Sequence, residues 1–124
     1  MEQSKLLKQN LLALSSAHPS LSVDVGRAET SSRMQFKTAR NGSLIPVLRY
    51  DGREYPLHST IDPVREGERF YSSSASGGYL IFFGFGAGYH IRPFLERNDI
   101  SGILVIDFDI SLFRSILLKF DIRD

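Results

Sequence analysis

"YLIFFGFGAGYH", residues 79–90, and "GILVIDFD", residues 102–109, decide how this chain is read. Tyr79–Phe83 is a short, wholly apolar run, as expected of a strand covered on both faces. It opens onto three alternating glycines, Gly84, Gly86 and Gly88. Glycine permits a tight turn and close backbone approach to a ligand. A helix beginning beyond the turn would offer free N–H groups and a positive dipole end to an anion. Ile103–Ile106 then reads as a second buried strand, ending at Asp107, 23 residues after Gly84. In a strand–helix–strand nucleotide fold, an acid at that place accepts from ribose hydroxyls. Glycines and acid together point to a nucleotide-type site. The plain alternative is a structural turn, with Asp107 and Asp109 as cap and surface charge.

The spacing narrows the ligand. Gly84-x-Gly86-x-Gly88 is not GxGxxG, because Tyr89 stands at the last position, and a Walker A loop needs a Lys that is absent. The GxGxG form resembles the first motif of Rossmann-like methyltransferases, which bind S-adenosylmethionine. Phe82 occupies the place where that motif carries an acid, which argues against this reading. His90 could reach such a site, although a capping or surface role is the more common one for such a histidine. Tyr89–Arg97 can be helical, although Pro93 favours a start near Arg92 and a longer glycine loop. Ser111–Phe120 reads as the next helix, capped by Asp109 or Ser111.

Upstream, "LHSTIDPVREGERFY" (57–71) predicts a helix over Pro63–Ser73. Asp62 suits the N-cap and Pro63 the first turn. "SSSASGG" (72–78) reads as a linker. Before it, alternation predicts strands at about 21–28, 33–40, 44–50 and 53–57, an antiparallel meander. Asn41-Gly42 and Asp51-Gly52 would supply two-residue turns with φ > 0 at both positions. Arg33, Lys37, Arg40, Arg49 and Arg53 fall on its solvated side. Residues 3–18 read as an amphipathic helix with Leu7, Leu11 and Leu14 on one stripe, ended by Pro19. That stripe faces a core or a partner.

The expected fold is therefore α+β: an N-terminal helix and β-meander over 1–60, then the first β-α-β-α of a Rossmann-like domain over 61–124. The 124 residues, 42% hydrophobic and 23% charged, suit a soluble globular chain. Net charge is +1, with a slightly basic first half and slightly acidic second half, too even for nucleic-acid binding. The absence of Cys excludes disulfides and thiol catalysis, and His18, His58 and His90 lack metal-ligand spacing, so no metal site is expected. No apolar run reaches the length of a membrane span, and Lys8, Gln9 and Asn10 interrupt the only signal-like segment. The expected compartment is the cytoplasm.

"NLLALSSAHPSLS", "KTARNGSLIPVLRYDGREYPLHSTIDPVREGERF", "YLIFFGFGAGYHIRPFLE" and "GILVIDFDISLFRSIL" follow one another in an order that resembles the N-terminal part of the motility accessory factor (Maf) family of flagellin glycosyltransferases. The central domain of that family is grouped with MptE-like 6-hydroxymethylpterin diphosphokinases. The best matches are His58-Ser59 with Asp62-Pro63 and Glu66, the turn from Gly84 to His90, and Val105-Ile106-Asp107. The resemblance implies that Gly84, Phe85, Gly86, Ala87 and Gly88 face a nucleotide phosphate and that Asp107 meets the ribose. His58, Ser59, Tyr89 and His90 would line the site. It implies transfer of a nonulosonic acid from a CMP-sugar to Ser or Thr of flagellin, or diphosphate transfer from ATP with magnesium to a pterin. Flagellin or a flagellar protein would be the partner. Family members are far longer, so the chain reads as a truncated piece, a gene fragment or a shortened relative, without catalysis of its own. The rival readings are a noncatalytic interaction or oligomerisation module and a methyltransferase-like fragment. Two parallel strands make a poor sheet alone, which predicts a homodimer.

Overall fold

Spacings of three and four residues place Leu7, Asn10, Leu11 and Leu14 on one stripe of a helix. The computed structural model that carries this helix describes residues 2–74 and 77–123, so Ala75 and Ser76 of the expected linker lie outside the described residues. In chain order the elements are α1 (Glu2–Ala17), α2 (Pro19–Arg27), β1 (Met34–Thr38), β2 (Leu44–Tyr50), β3 (Arg53–Pro56), α3 (Pro63–Ser73), β4 (Gly78–Phe83), a 3₁₀ segment (Arg92–Glu96), β5 (Ile100–Ile106) and α4 (Ile110–Leu117). They form two compact units: Met1–Met34 with Asp109–Asp124, and Gln35–Phe108. The chain is α+β, with one three-stranded sheet and one parallel strand pair.

The first unit is helical. Its α2 stands where a strand over 21–28 was expected. Leu21, Val23 and Val25 alternate, but only Val25 is buried; Leu21 and Val23 are 39% and 49% exposed. Burial falls instead on Ser22 and Val25, three residues apart, as on a helix face. Pro19 begins this helix rather than merely ending the one before, because its missing N–H costs nothing in the first turn. The Ser22 hydroxyl donates to Leu11 O at 2.7 Å, tying α2 to α1. α4 starts at Asp109, whose carboxylate accepts from the amides of Ser111 and Leu112. Leu7, Val25 and Leu117 meet in one core, ringed by Leu11, Phe113, Leu118 and Ile122. So α4, expected as the last helix of a parallel unit, packs with α1 and α2.

The second unit contains the sheets. β1-β2-β3 form one sheet, and β2 pairs β3 antiparallel with Tyr50 opposite Arg53. The turn between those two is the expected two-residue kind, with Asp51 at φ 52° and Gly52 at φ 73°. The loop before β2 is not. There Gly42 alone takes positive φ, at 93°, its N–H donates to Ala39 O, and Ala39 N–H donates to Ser43 O. The expectation of two positive-φ residues at Asn41-Gly42 is therefore corrected: the loop is one residue longer and ends in a glycine bulge. α3 covers the residues its signals predict, with Asp62 accepting from Arg65 N–H at 3.0 Å.

β4 and β5 pair in parallel, from Tyr79 opposite Gly102 to Phe83 opposite Ile106. Phe82 is buried with Ile91 and Phe94, flanked by Leu80, Ile103 and Val105. The expectation of cover on both faces does not hold among the described residues. Tyr79, Ile81 and Phe83 are 80%, 58% and 74% exposed, and Leu104 is 55% exposed. Within the second unit, among the described residues, one face has a layer against it, made by α3 and the 3₁₀ segment through Phe70, Tyr71 and Phe94. The division expected between residues 60 and 61 lies inside this second unit, because the segment from His58 to Glu66 is bonded into it on both sides.

Candidate functional site

The glycine turn sits at the carboxyl end of β4, beside the carboxyl end of β5, which is where ligands meet parallel sheets. Gly84 N–H donates to Ile106 O at 2.7 Å, extending the ladder by one bond. Phe85 N–H donates to the Asp107 carboxylate at 3.3 Å, and Phe108 N–H donates to its other oxygen at 2.8 Å. The structure thus brings the turn and Asp107 together. Asp107 is exposed, and a carboxylate with two accepted bonds keeps lone pairs for a hydroxyl.

The three glycines all have positive φ, at 91°, 53° and 82°, but their surroundings differ. A Cβ on Gly84 would meet open space. One on Gly86 would lie 2.6 Å from His58 Nε2. One on Gly88 would touch the Phe85 ring at 3.4 Å. Gly84 borders the open side, whereas Gly86 is required by a side chain packed beneath the turn.

That side chain is His58. It is 7% exposed, and its Nε2 accepts from Ala87 N–H at 2.9 Å. Its ring meets Tyr89 edge-on at 5.0 Å and lies 5.6 Å from His90. Burial, with the nearby His90, pushes its pKa down to about 4. Ser59 lies outside the turn and acts as a staple. Its hydroxyl accepts from Ile61 and Asp62 N–H, while its own N–H donates to Glu66 at 3.0 Å. Asn41 donates to Asp62 at 2.9 Å, joining the meander loop to the same cap.

Tyr89 leaves the turn for the meander: its hydroxyl donates to Leu44 O at 2.6 Å and its ring packs against Ala39, Ile45 and Val47. Burial raises its pKa. His90 Nε2 lies 3.3 Å from Gly84 O, over the edge of Phe82 at 5.5 Å. Its pKa is lowered by burial, opposed by the Gly84 carbonyl and Glu66. Phe82, where an acid would suit S-adenosylmethionine, is a core residue at 8% exposure. Gly67 of α3 went unnoticed in the sequence. A Cβ there would come within 2.1 Å of Tyr89 O, so the turn's far end rests directly on the helix backbone.

The expected helix over Tyr89–Arg97 is only the five-residue 3₁₀ segment, with Pro93 in its first turn. Ile91 and Arg92 N–H both bond back to Gly88 O. No regular helix dipole therefore stands behind the turn, and the amides of Gly84, Phe85, Ala87 and Gly88 donate to groups of the chain itself. Among the described residues no group of three or more His, Asp or Glu could hold a metal ion, and no helix is long and apolar enough to cross a membrane.

The fold resembles that of a Maf glycosyltransferase. The solved Maf glycosyltransferase of Magnetospirillum magneticum AMB-1 superposes with a TM-score of 0.60 at 16% identity. The match takes in 98% of this chain and 25% of that one, so the chain spans a quarter of the Maf structure. No protein-family model and no curated protein matches the sequence. Within the second unit the glycine turn reaches the meander through Tyr89.

Proposed function

We propose that this chain is part of a Maf-like glycosyltransferase and bears one side of its nucleotide site. The donor would be a CMP-activated nonulosonic acid and the acceptor Ser or Thr of flagellin. Gly84, Phe85, Gly86, Ala87 and Gly88 would face the donor phosphate, and Asp107 would accept from the ribose. The observation that carries this reading is the Phe85 amide bonded to Asp107 at the carboxyl edge of a parallel pair, with open space beside Gly84. The residues present bind and orient; no general base is assigned among them.

The test is a titration of the ¹⁵N-labelled chain with CMP, ATP and S-adenosylmethionine. CMP should shift the amides of residues 84–90 and 107 at millimolar concentration. No shift there with any of the three would remove the reading. Preference for ATP would favour pterin diphosphokinase-like chemistry, and preference for S-adenosylmethionine a methyltransferase-like one. A second reading, a noncatalytic oligomerisation module, is favoured by the exposed Tyr79, Ile81, Phe83 and Leu104.

A further inference from the structure

We propose that His58 is the positioning residue of the glycine turn, its unprotonated Nε2 holding the Ala87 amide so that the turn keeps its shape only while the imidazole is neutral. The geometry leaves little slack. His58 follows β3 and is carried under the turn, where Nε2 accepts from Ala87 N–H at 2.9 Å. An accepting nitrogen carries no proton, so the ring's proton sits on Nδ1. The same Nε2 is 2.6 Å from where a Gly86 Cβ would be. The ring is therefore pressed against the one residue of the turn that can receive it. Protonation would place an N–H against the Ala87 N–H, and one of them must leave.

The groups that face this ring shape its response. From the turn, His90 lies 5.6 Å away and a second positive charge there would oppose protonation of His58. Tyr89 presents its ring edge, with its phenol engaged by Leu44 O. From α3, Glu66 acts on His90 and accepts from Ser59 N–H, one residue from His58. From the end of β5, the Asp107 carboxylate accepts from the Phe85 amide of the turn. Two side chains thus pin the turn, a carboxylate at the Phe85 amide and an imidazole at the Ala87 amide. Burial favours the neutral ring, so the pin is set at neutral pH and released in acid. The consequence for nucleotide binding rests on the function proposed above; the pinning itself does not.

The experiment separates the two. Amide exchange of Ala87 is followed by NMR in the full chain, as a protection factor referred to Ile45 in β2. The parent should protect Ala87 at pH 7 and lose at least tenfold of that protection as the pH falls through about 4. His58→Gln, which offers an amide oxygen near the Nε2 position and does not titrate, should keep protection and lose its pH dependence. His58→Leu should lose tenfold at every pH. Unchanged Ala87 protection in His58→Leu would overturn the proposal. Should that variant not fold, the parent's ring ¹⁵N shifts decide: an unprotonated Nε2 at pH 7 supports the proposal, and an Nε2–H tautomer overturns it. In parallel, CMP affinity should fall at least fivefold in His58→Leu and be kept in His58→Gln. Failure of CMP to bind the parent would sink the nucleotide reading while leaving the exchange result standing.

Discussion

At Asn10 an amide side chain with no exposed surface closes the end of α4: its Nδ2 donates to Leu117 O at 2.8 Å and Phe120 O at 2.7 Å, and its Oδ1 accepts from Ile122 N–H at 3.1 Å. In the sequence Asn10 only interrupts an apolar segment. In the fold it serves the carbonyls that a helix end leaves without partners. Asn10→Leu keeps the volume but strands one buried and two half-buried polar groups, and should cost about 2 kcal/mol in a urea titration. His58 supplies a second prediction at this scale. The unfolded chain takes up its proton near the ordinary 6.5, whereas the folded ring does so only near about 4. Between these values the unfolded state binds more protons, so the contribution is whole above pH 6.5 and is lost as pH falls toward 4. The loss is about 3 kcal/mol at most. The urea midpoint should drop between pH 7 and 4.5, and drop less in His58→Gln.

Elements respond to their ends. α3 begins where Asp62 and Pro63 say it should, because capping and the first-turn proline are local chemistry. Asp62→Ala should cost about 1 kcal/mol, read as a lowered melting temperature. The β2–β3 hairpin depends on a left-handed pair, Asp51 and Gly52. Gly52→Val there should cost about 1–2 kcal/mol, while Gly52→Asn should be milder. If Gly52→Val melts with the parent, the turn geometry is not what holds this register. α2 shows where element reading fails. Its alternation suits a strand, yet Ser22 and Val25 bury against α1, and Arg114 donates to Val25 O and Gly26 O at 3.1 Å each, capping the helix from α4. Arg114 is separated from α2 by almost ninety residues, so no short window along the chain contains that contact.

Within the second unit one sheet face remains bare, and this sets the behaviour expected of the whole molecule. Tyr79, Ile81, Phe83 and Leu104 side by side make an apolar surface of the kind proteins cover with a partner. A second copy of this chain is the cover proposed, since a closed pair is the commonest way to hide such a patch. Sedimentation equilibrium at micromolar concentration should give about twice 14.0 kDa. Ile81→Glu with Phe83→Glu should return the mass to that of one chain without loss of helix or sheet signal. A monomeric parent would remove this expectation.

Legible along the chain were the pieces whose causes are local: α1, three of the four expected meander strands, α3 with its cap, β4, β5 and the three glycines between them. Period, turn residues and caps act within a few positions, and these were readable there. The sequence also brought Gly84 and Asp107 into one hypothesis, because a parallel pair aligns the ends of its strands by geometry alone. Long-range packing was needed to show that α4 joins α1 and α2, that the segment after Pro19 is helical, and that Pro93 leaves a 3₁₀ segment where a helix was expected. It alone also distinguished the glycines, since Gly84 faces open space while Gly86 makes room for His58. The physical reason is range. A backbone angle answers to its neighbours in sequence, but what a missing side chain makes room for is set by whichever distant residue the fold brings against it.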